Sequence, residues 1–204
     1  MLRRQPQPRL RGARVVLRPL AATDFPAWRE VRLRNEAWLI PWEPQRNLSL
    51  PDPTRDRHAF EARCAARERE RTTDHAYPFG VFVDDELAGE VNINNVTRGA
   101  LQSGTVGYWI DQRLAGNGYI SEAVVVAMKY AFEQAQLHRL EICIVPRNMR
   151  SRRVVEKLGI REEGTALRFL EIAGTWEDHI RYGITVEEWI ERRESLGATW
   201  LLPE

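Results

Sequence analysis

Residues 108–121, YWIDQRLAGNGYIS, constrain this chain more than any other stretch. Tyr108-Trp109-Ile110 is aromatic and β-branched, which is the composition of a strand. Arg113-Leu114-Ala115-Gly116-Asn117-Gly118 is a turn punctuated by two glycines. From Ile120 the apolar positions recur at Val124, Ala127, Met128, Ala131, Phe132 and Ala135, one stripe at helical period. Strand, glycine loop and helix in that order make a seat for a phosphate. The glycines adopt positive φ cheaply and let backbone amides approach an anion. The first helical amides lack internal partners, and the helix dipole adds positive potential. An ordinary strand-to-helix turn, with glycines for geometry alone, is the competing reading.

Two phosphate-binding classes are excluded at once. A nucleotide P-loop needs Gly-Lys-Ser/Thr after four intervening residues, and the loop has none. A dinucleotide fingerprint needs glycine where Ser121 stands. The remaining pattern is Arg113-x-x-Gly116-x-Gly118 between a strand and a long helix.

The rest of the chain reads as alternating short elements. Val15-Val16-Leu17 is a strand, and Asp24 with Pro26 opens a helix carrying Trp28, Val31 and Leu33. Trp38 to Pro44 sets two tryptophans between prolines, a pattern unsuited to a helix or central strand. Trp38 and Trp42 either plug the core under a loop or wall an acceptor pocket. Thr54 to Arg71 is a second helix, Tyr77 to Val83 a strand, Asp84-Asp85 a turn and Leu87 to Asn94 the returning strand. Period two puts Glu90, Asn92 and Asn94 on one face, which predicts that this face is wet or lines a site. Thr105 to Asp111 is the strand that enters the glycine loop. Beyond the long helix come a strand from Arg139 to Val145 and a helix capped by Asn148 and closed at Gly159. A hairpin turning at Ala173-Gly174 and a last helix from Val186 complete the order.

Bulk properties narrow the function. A chain of 204 residues suits one domain with a real core. A net charge of +1 supplies no global field for nucleic acid or membrane. Cys64 and Cys143 form neither a disulfide framework nor a metal set, in keeping with a reducing cytoplasm. No apolar run reaches the roughly 20 residues of a membrane span. Residues 1–12 lack the apolar core of a signal peptide and read as a loose tail, with a single domain over 13–204.

Arg113-x-x-Gly116-x-Gly118 resembles the acetyl-CoA pyrophosphate loop of the GNAT acetyltransferases. Asn148-Met149-Arg150-Ser151 followed by Val154-Val155-Glu156-Lys157-Leu158-Gly159 resembles that family's N-x-x-S-x-x-V-x-E-K-L-G segment. Asn94 to Gly99, Leu137-His138-Arg139, Trp42-Glu43-Pro44 and Gly174 to His179 resemble the ribosomal-protein alanine N-acetyltransferases of the RimJ type. The resemblance implies an α/β (α+β) fold: a mixed central sheet splayed in a V, helices on both faces and a C-terminal hairpin. It implies acetyl-CoA as co-substrate, with no metal. Its pyrophosphate would lie on the amides of Leu114 to Tyr119. The resemblance assigns the coenzyme's reactive end to Trp109, Ile110 and Asp111, and the loop contacts to Arg113, Leu114, Ala115, Gly116, Asn117 and Gly118. Tyr119, Ile120 and Ser121 open the helix beneath it, and Asn148, Ser151 and Lys157 face it from the second segment. The acceptor would be the N-terminal α-amine of a protein, such as a ribosomal protein beginning with alanine, met by Trp38, Trp42, Asn92 and Asn94. A drug or polyamine amine, or a non-catalytic CoA-binding module of the ribosome, are the alternatives. The protein is expected as a cytoplasmic monomer or homodimer.

The chemistry needs a neutral amine, an oxyanion donor and a proton for the departing thiolate. Backbone amide near Trp109 or Ile110 is the expected oxyanion donor. Many members of the family place tyrosine, as the acid, where Val155 stands. Ser151 is then the hydroxyl left to donate a hydrogen bond to the thiolate. For the base, Glu90 acting through water is preferred, with Glu171 behind it, each having a structural ion pair as its competing role.

Overall fold

A computed structural model describes residues 7–202. In chain order its elements are β1 (Leu10–Arg11), β2 (Val15–Arg18), α1 (Phe25–Arg34), α2 (Glu36–Leu39) and α3 (Arg57–Thr72). There follow β3 (Tyr77–Val83), β4 (Glu86–Thr97), β5 (Ser103–Ile110), α4 (Tyr119–Lys129) and β6 (Arg139–Ile144). The chain ends with α5 (Met149–Lys157), β7 (Arg161–Ile172), β8 (Thr175–Thr185) and α6 (Val186–Trp200). The strands form one sheet in the order β1-β2-β3-β4-β5-β6-β8-β7. Every neighbouring pair is antiparallel except β5 and β6.

That one parallel pair decides the shape of the site. β5 and β6 pair only over Ser103–Thr105 against Arg139–Glu141. β6 then follows β8 along its whole length, through Ile144 opposite Ile180. β5 stays with β4 as far as Ile110 opposite Gly89. The strands therefore part beyond Thr105 and leave a V.

Each face of the sheet has its own core. One holds α4, α5 and α6 against Val91, Ile93, Val106, Leu140, Ile142 and Ile144. The other packs Trp28 of α1 and Phe60 of α3 on Phe82 and Leu87. β3, YPFGVFV, is buried at every position, so both faces are covered there. The turn to β4 uses Asp84 and Asp85 at φ 50° and 63°, the left-handed pair of a tight hairpin.

Four expectations change. Residues 1–6 of the expected tail lie outside the described residues, but Leu10–Arg11 pair with Val16 and Leu17 as an edge strand. α4 is not a one-sided amphipathic helix: Ser121 to Met128 are all buried, because β2, α5 and α6 also pack on it. Trp38 lies in the short helix α2, and Ile40–Trp42 continue as a 3-10 turn, so the proline at 41 sits where a helical turn tolerates it. Asp24 does not cap α1; its carboxylate forks with Arg18 at 2.8 Å on both oxygens.

Candidate active site

Asp111 fixes the entry to the glycine loop. Only 2% exposed, it takes Arg34 at 2.5 Å, the Asn35 amide at 2.9 Å and the Arg113 backbone amide at 3.2 Å. Burial opposes its charge, yet these donors hold its carboxyl below the usual carboxylate range. Asn35 also accepts from the Gln112 amide at 2.9 Å, so the end of α1 holds the start of the loop. Asp111 is thus a positioning group with its bonds already made, rather than a coenzyme contact through its side chain.

Within the loop, Leu114 and Ala115 give their amides to the carbonyls of Asp111 and Gln112. Among the described residues no group accepts from the amides of Gly116, Asn117, Gly118, Tyr119, Ile120 and Ser121. The run of open amides therefore starts two residues later than the sequence suggested. Gly116 and Gly118 adopt φ 86° and 84°, and a Cβ on Gly116 would meet nothing within 4 Å. Gly118 is the cap residue of α4. Arg113 is exposed on the rim.

A clamp invisible in the sequence holds this loop from behind. Glu122, fully buried, accepts from the backbone amides of Arg14 and Val15 and from Arg14 Nε at 2.9 Å. Arg14 reaches on to the Asn117 carbonyl at 3.1 Å and lies 4.8 Å over the Tyr119 ring. Trp200 of α6 borders Gly118, and Lys157 rests its ammonium 4.7 Å over the same indole. Lys157 is thereby placed beside the loop.

Across the V stands the start of α5. Asn148 caps it by accepting from the Ser151 amide at 3.2 Å. Ser151 Oγ donates to the Tyr108 hydroxyl at 3.0 Å, and that hydroxyl donates to the Ser151 carbonyl at 3.1 Å. Tyr108 was read only as a strand residue; the pairing joins positions 43 apart and has no sequence signal. Burial raises the Tyr108 phenol further above its ordinary pKa, so it stays protonated.

Strand alternation orients the lips of the V. Asp111 N donates to Ala88 O at 2.7 Å, so period two turns the Trp109 amide toward β4. The amides of Tyr108 and Ile110 then point to the side from which β6 has departed. Of the two amides, that of Ile110 and not that of Trp109 faces the gap, a distinction that sequence pattern alone does not make.

The opposite face corrects the carboxylate expectation. Glu90 is not on a wet face: it is 2% exposed, bound by Trp28 Nε1 at 2.7 Å and Arg63 at 2.6 Å. Burial opposes its charge, but Arg63, the indole N–H and Arg32 hold its carboxyl below the ordinary range. It is a structural ion, and Ser151 packs with the other face of the sheet. Asn94 accepts from Arg67 at 3.1 Å, while Asn92 is half-buried opposite Gly107, whose missing side chain leaves that stretch of β5 open. Glu171 is exposed on the edge strand β7, opposite Trp176. Trp38 and Trp42 are half-buried rather than core plugs, with Arg150 4.2 Å over the first and Arg147 4.7 Å over the second. The hairpin turn closes above them, Ala173 N donating to Glu43 O at 2.9 Å.

Residues 14–161 match the acetyltransferase (GNAT) domain family. The chain is 34% identical over 172 residues to the probable N-acetyltransferase YjcK of Bacillus subtilis, covering 83% of this chain and 93% of that one. It is 33% identical over 192 residues to the [ribosomal protein uS5]-alanine N-acetyltransferase of Escherichia coli, covering 92% and 96%. Mycobacterium smegmatis RimJ, solved in complex with CoA-disulfide, superposes with a TM-score of 0.85 at 33% identity, covering 95% of this chain and 93% of that one.

Proposed function

The chain belongs to the GNAT acetyltransferase family, and from that premise we propose that it transfers acetyl from acetyl-CoA to the N-terminal α-amine of a protein. The N-terminal alanine of a ribosomal protein is the acceptor this reading favours, in line with the uS5-alanine relative. The observation that carries the reading is the run of acceptor-free amides from Gly116 to Ser121, set at the mouth of a parted strand pair with the Ser151 and Tyr108 hydroxyls across it.

Those amides suit a diphosphate, since each open N–H contributes a charge-assisted bond and the α4 dipole adds to them. A coenzyme held there extends its pantetheine along β5, where the Tyr108 and Ile110 amides offer the pairing of an added strand. Ile110 N–H stabilises charge on the thioester oxygen as the amine attacks. Ser151 Oγ, turning from Tyr108, donates a hydrogen bond to the departing sulfur, and Tyr108 supplies a second protonated hydroxyl in the relay. No carboxylate base is required. An α-amine has a pKa of about 7.7–8.0, so about a tenth is neutral at pH 7 and its proton leaves through water.

The test is acetylation of synthetic peptides that differ in their first residue, read by fragment mass spectrometry. Transfer to the α-amine of a peptide beginning with alanine, and none to a blocked N-terminus, is expected. Transfer only to lysine side chains or to small amines would refute the assignment.

A further inference from the structure

A cavity of about 290 Å³ at the start of α5 is lined by Trp42, Arg147, Asn148, Met149, Arg150 and Arg153. It has three guanidinium groups and no carboxylate. Arg147 is neutralised by Glu177 at 2.5 Å. Arg150 and Arg153 have no ion pair among the described residues, whereas Arg18, Arg34 and Arg63 each hold a carboxylate. Two uncompensated cations side by side repel each other, and the dipole of α5 adds potential of the same sign. Trp38 and Trp42 nevertheless hold Arg150 and Arg147 in place through their ring faces. Rigid cations with spare donors are a seat for an anion.

Resting on the acetyl-transfer reading, we infer that this cavity binds an acidic side chain of the acceptor, close behind the reacting amine. Arg150 adjoins Ser151, and an extended peptide advances about 3.3–3.6 Å per residue. An amine at the Ser151 hydroxyl therefore brings the second to fourth side chain of the peptide to the guanidinium groups. The preferred acceptors are N-terminal peptides with Asp or Glu at those positions. A polyamine or cationic drug meets repulsion in the same place. The coenzyme's phosphates are the other anions within the site, and the measurement separates the two.

Peptide pairs differing only by Glu or Gln at positions two to four are compared by kcat/KM, alongside the KM for acetyl-CoA. The same pairs are titrated calorimetrically into CoA-loaded protein, which needs no turnover. Wild type is expected to favour the Glu peptide by about tenfold, near 1.4 kcal/mol. In Arg150→Gln/Arg153→Gln the preference falls to about one, while the KM for acetyl-CoA changes by less than about twofold. No Glu preference in wild-type binding overturns the inference. So does a preference that survives the double substitution, or a raised acetyl-CoA KM in its place. If no peptide is acetylated but the Glu preference persists in binding, the acetyl-transfer reading fails and the cavity assignment stands.

Discussion

Glu122→Ala should destabilise the fold and loosen the coenzyme loop together. Glu122 is fully buried and answers two backbone amides, those of Arg14 and Val15, besides Arg14 Nε. Alanine leaves both amides without an acceptor in a space too closed for easy hydration: a Cβ on Gly12 would already stand 2.6 Å from Glu122 Oε1. At about 1.5 kcal/mol for each orphaned amide the loss is about 3 kcal/mol. The ion pair adds little, because Arg14 is 46% exposed at its side chain. For a domain of this length about 3 kcal/mol lowers the melting temperature by about 6–12 °C. Glu122→Gln keeps one oxygen acceptor and should lose less than half as much. Differential scanning calorimetry reads both, and acetyl-CoA added to each variant should raise Tm less than in wild type, since Arg14 no longer props the Asn117 carbonyl and Tyr119. A fall below about 2 °C in the alanine variant, with an undiminished coenzyme shift, would refute the clamp.

Gly118→Glu sets a carboxylate where a phosphate belongs and should abolish the thermal shift given by acetyl-CoA, whereas Gly118→Ala, which carries only the strain of φ 84°, should keep most of it. Ser151→Ala should reduce kcat by about 10²-fold with little change in the KM for acetyl-CoA, and Tyr108→Phe should reduce kcat less; steady-state kinetics at saturating peptide decides both. Glu90 and Asp111 have depressed folded-state pKa values, so their stabilisation is whole above about pH 4.3 and drains as pH falls through those lower values. Tm measured across pH 2–7, a range spanning about the carboxylate pKa values, should therefore fall less steeply on the acid side in Glu90→Gln, from a lower plateau.

Much of the fold was legible because local chemistry and tertiary structure agree. β3 runs from Tyr77 to Val83 within the bounds read from the sequence, Asp84-Asp85 turns with both residues at positive φ, and Asn148 caps α5 through its own side chain. The parted strands followed from a resemblance, and the register of β5 against β6 bears them out. What stayed hidden depends on partners distant in sequence. Period two placed Glu90 on the correct face, but only Trp28 and Arg63, 62 and 27 positions away, reveal that the face is sealed. Glu122 takes its role from the backbone amide of Val15, 107 positions away, which no local pattern around the helix announces. Tyr108 and Ser151 meet across the V, where no local pattern joins them.

The most direct measurement is the crystal structure of the protein with acetyl-CoA bound. The diphosphate oxygens should lie within about 2.7–3.2 Å of amides between Gly116 and Ser121, with the thioester sulfur beside Ser151 Oγ. A diphosphate seated elsewhere, or a thioester directed away from Ser151, would contradict it.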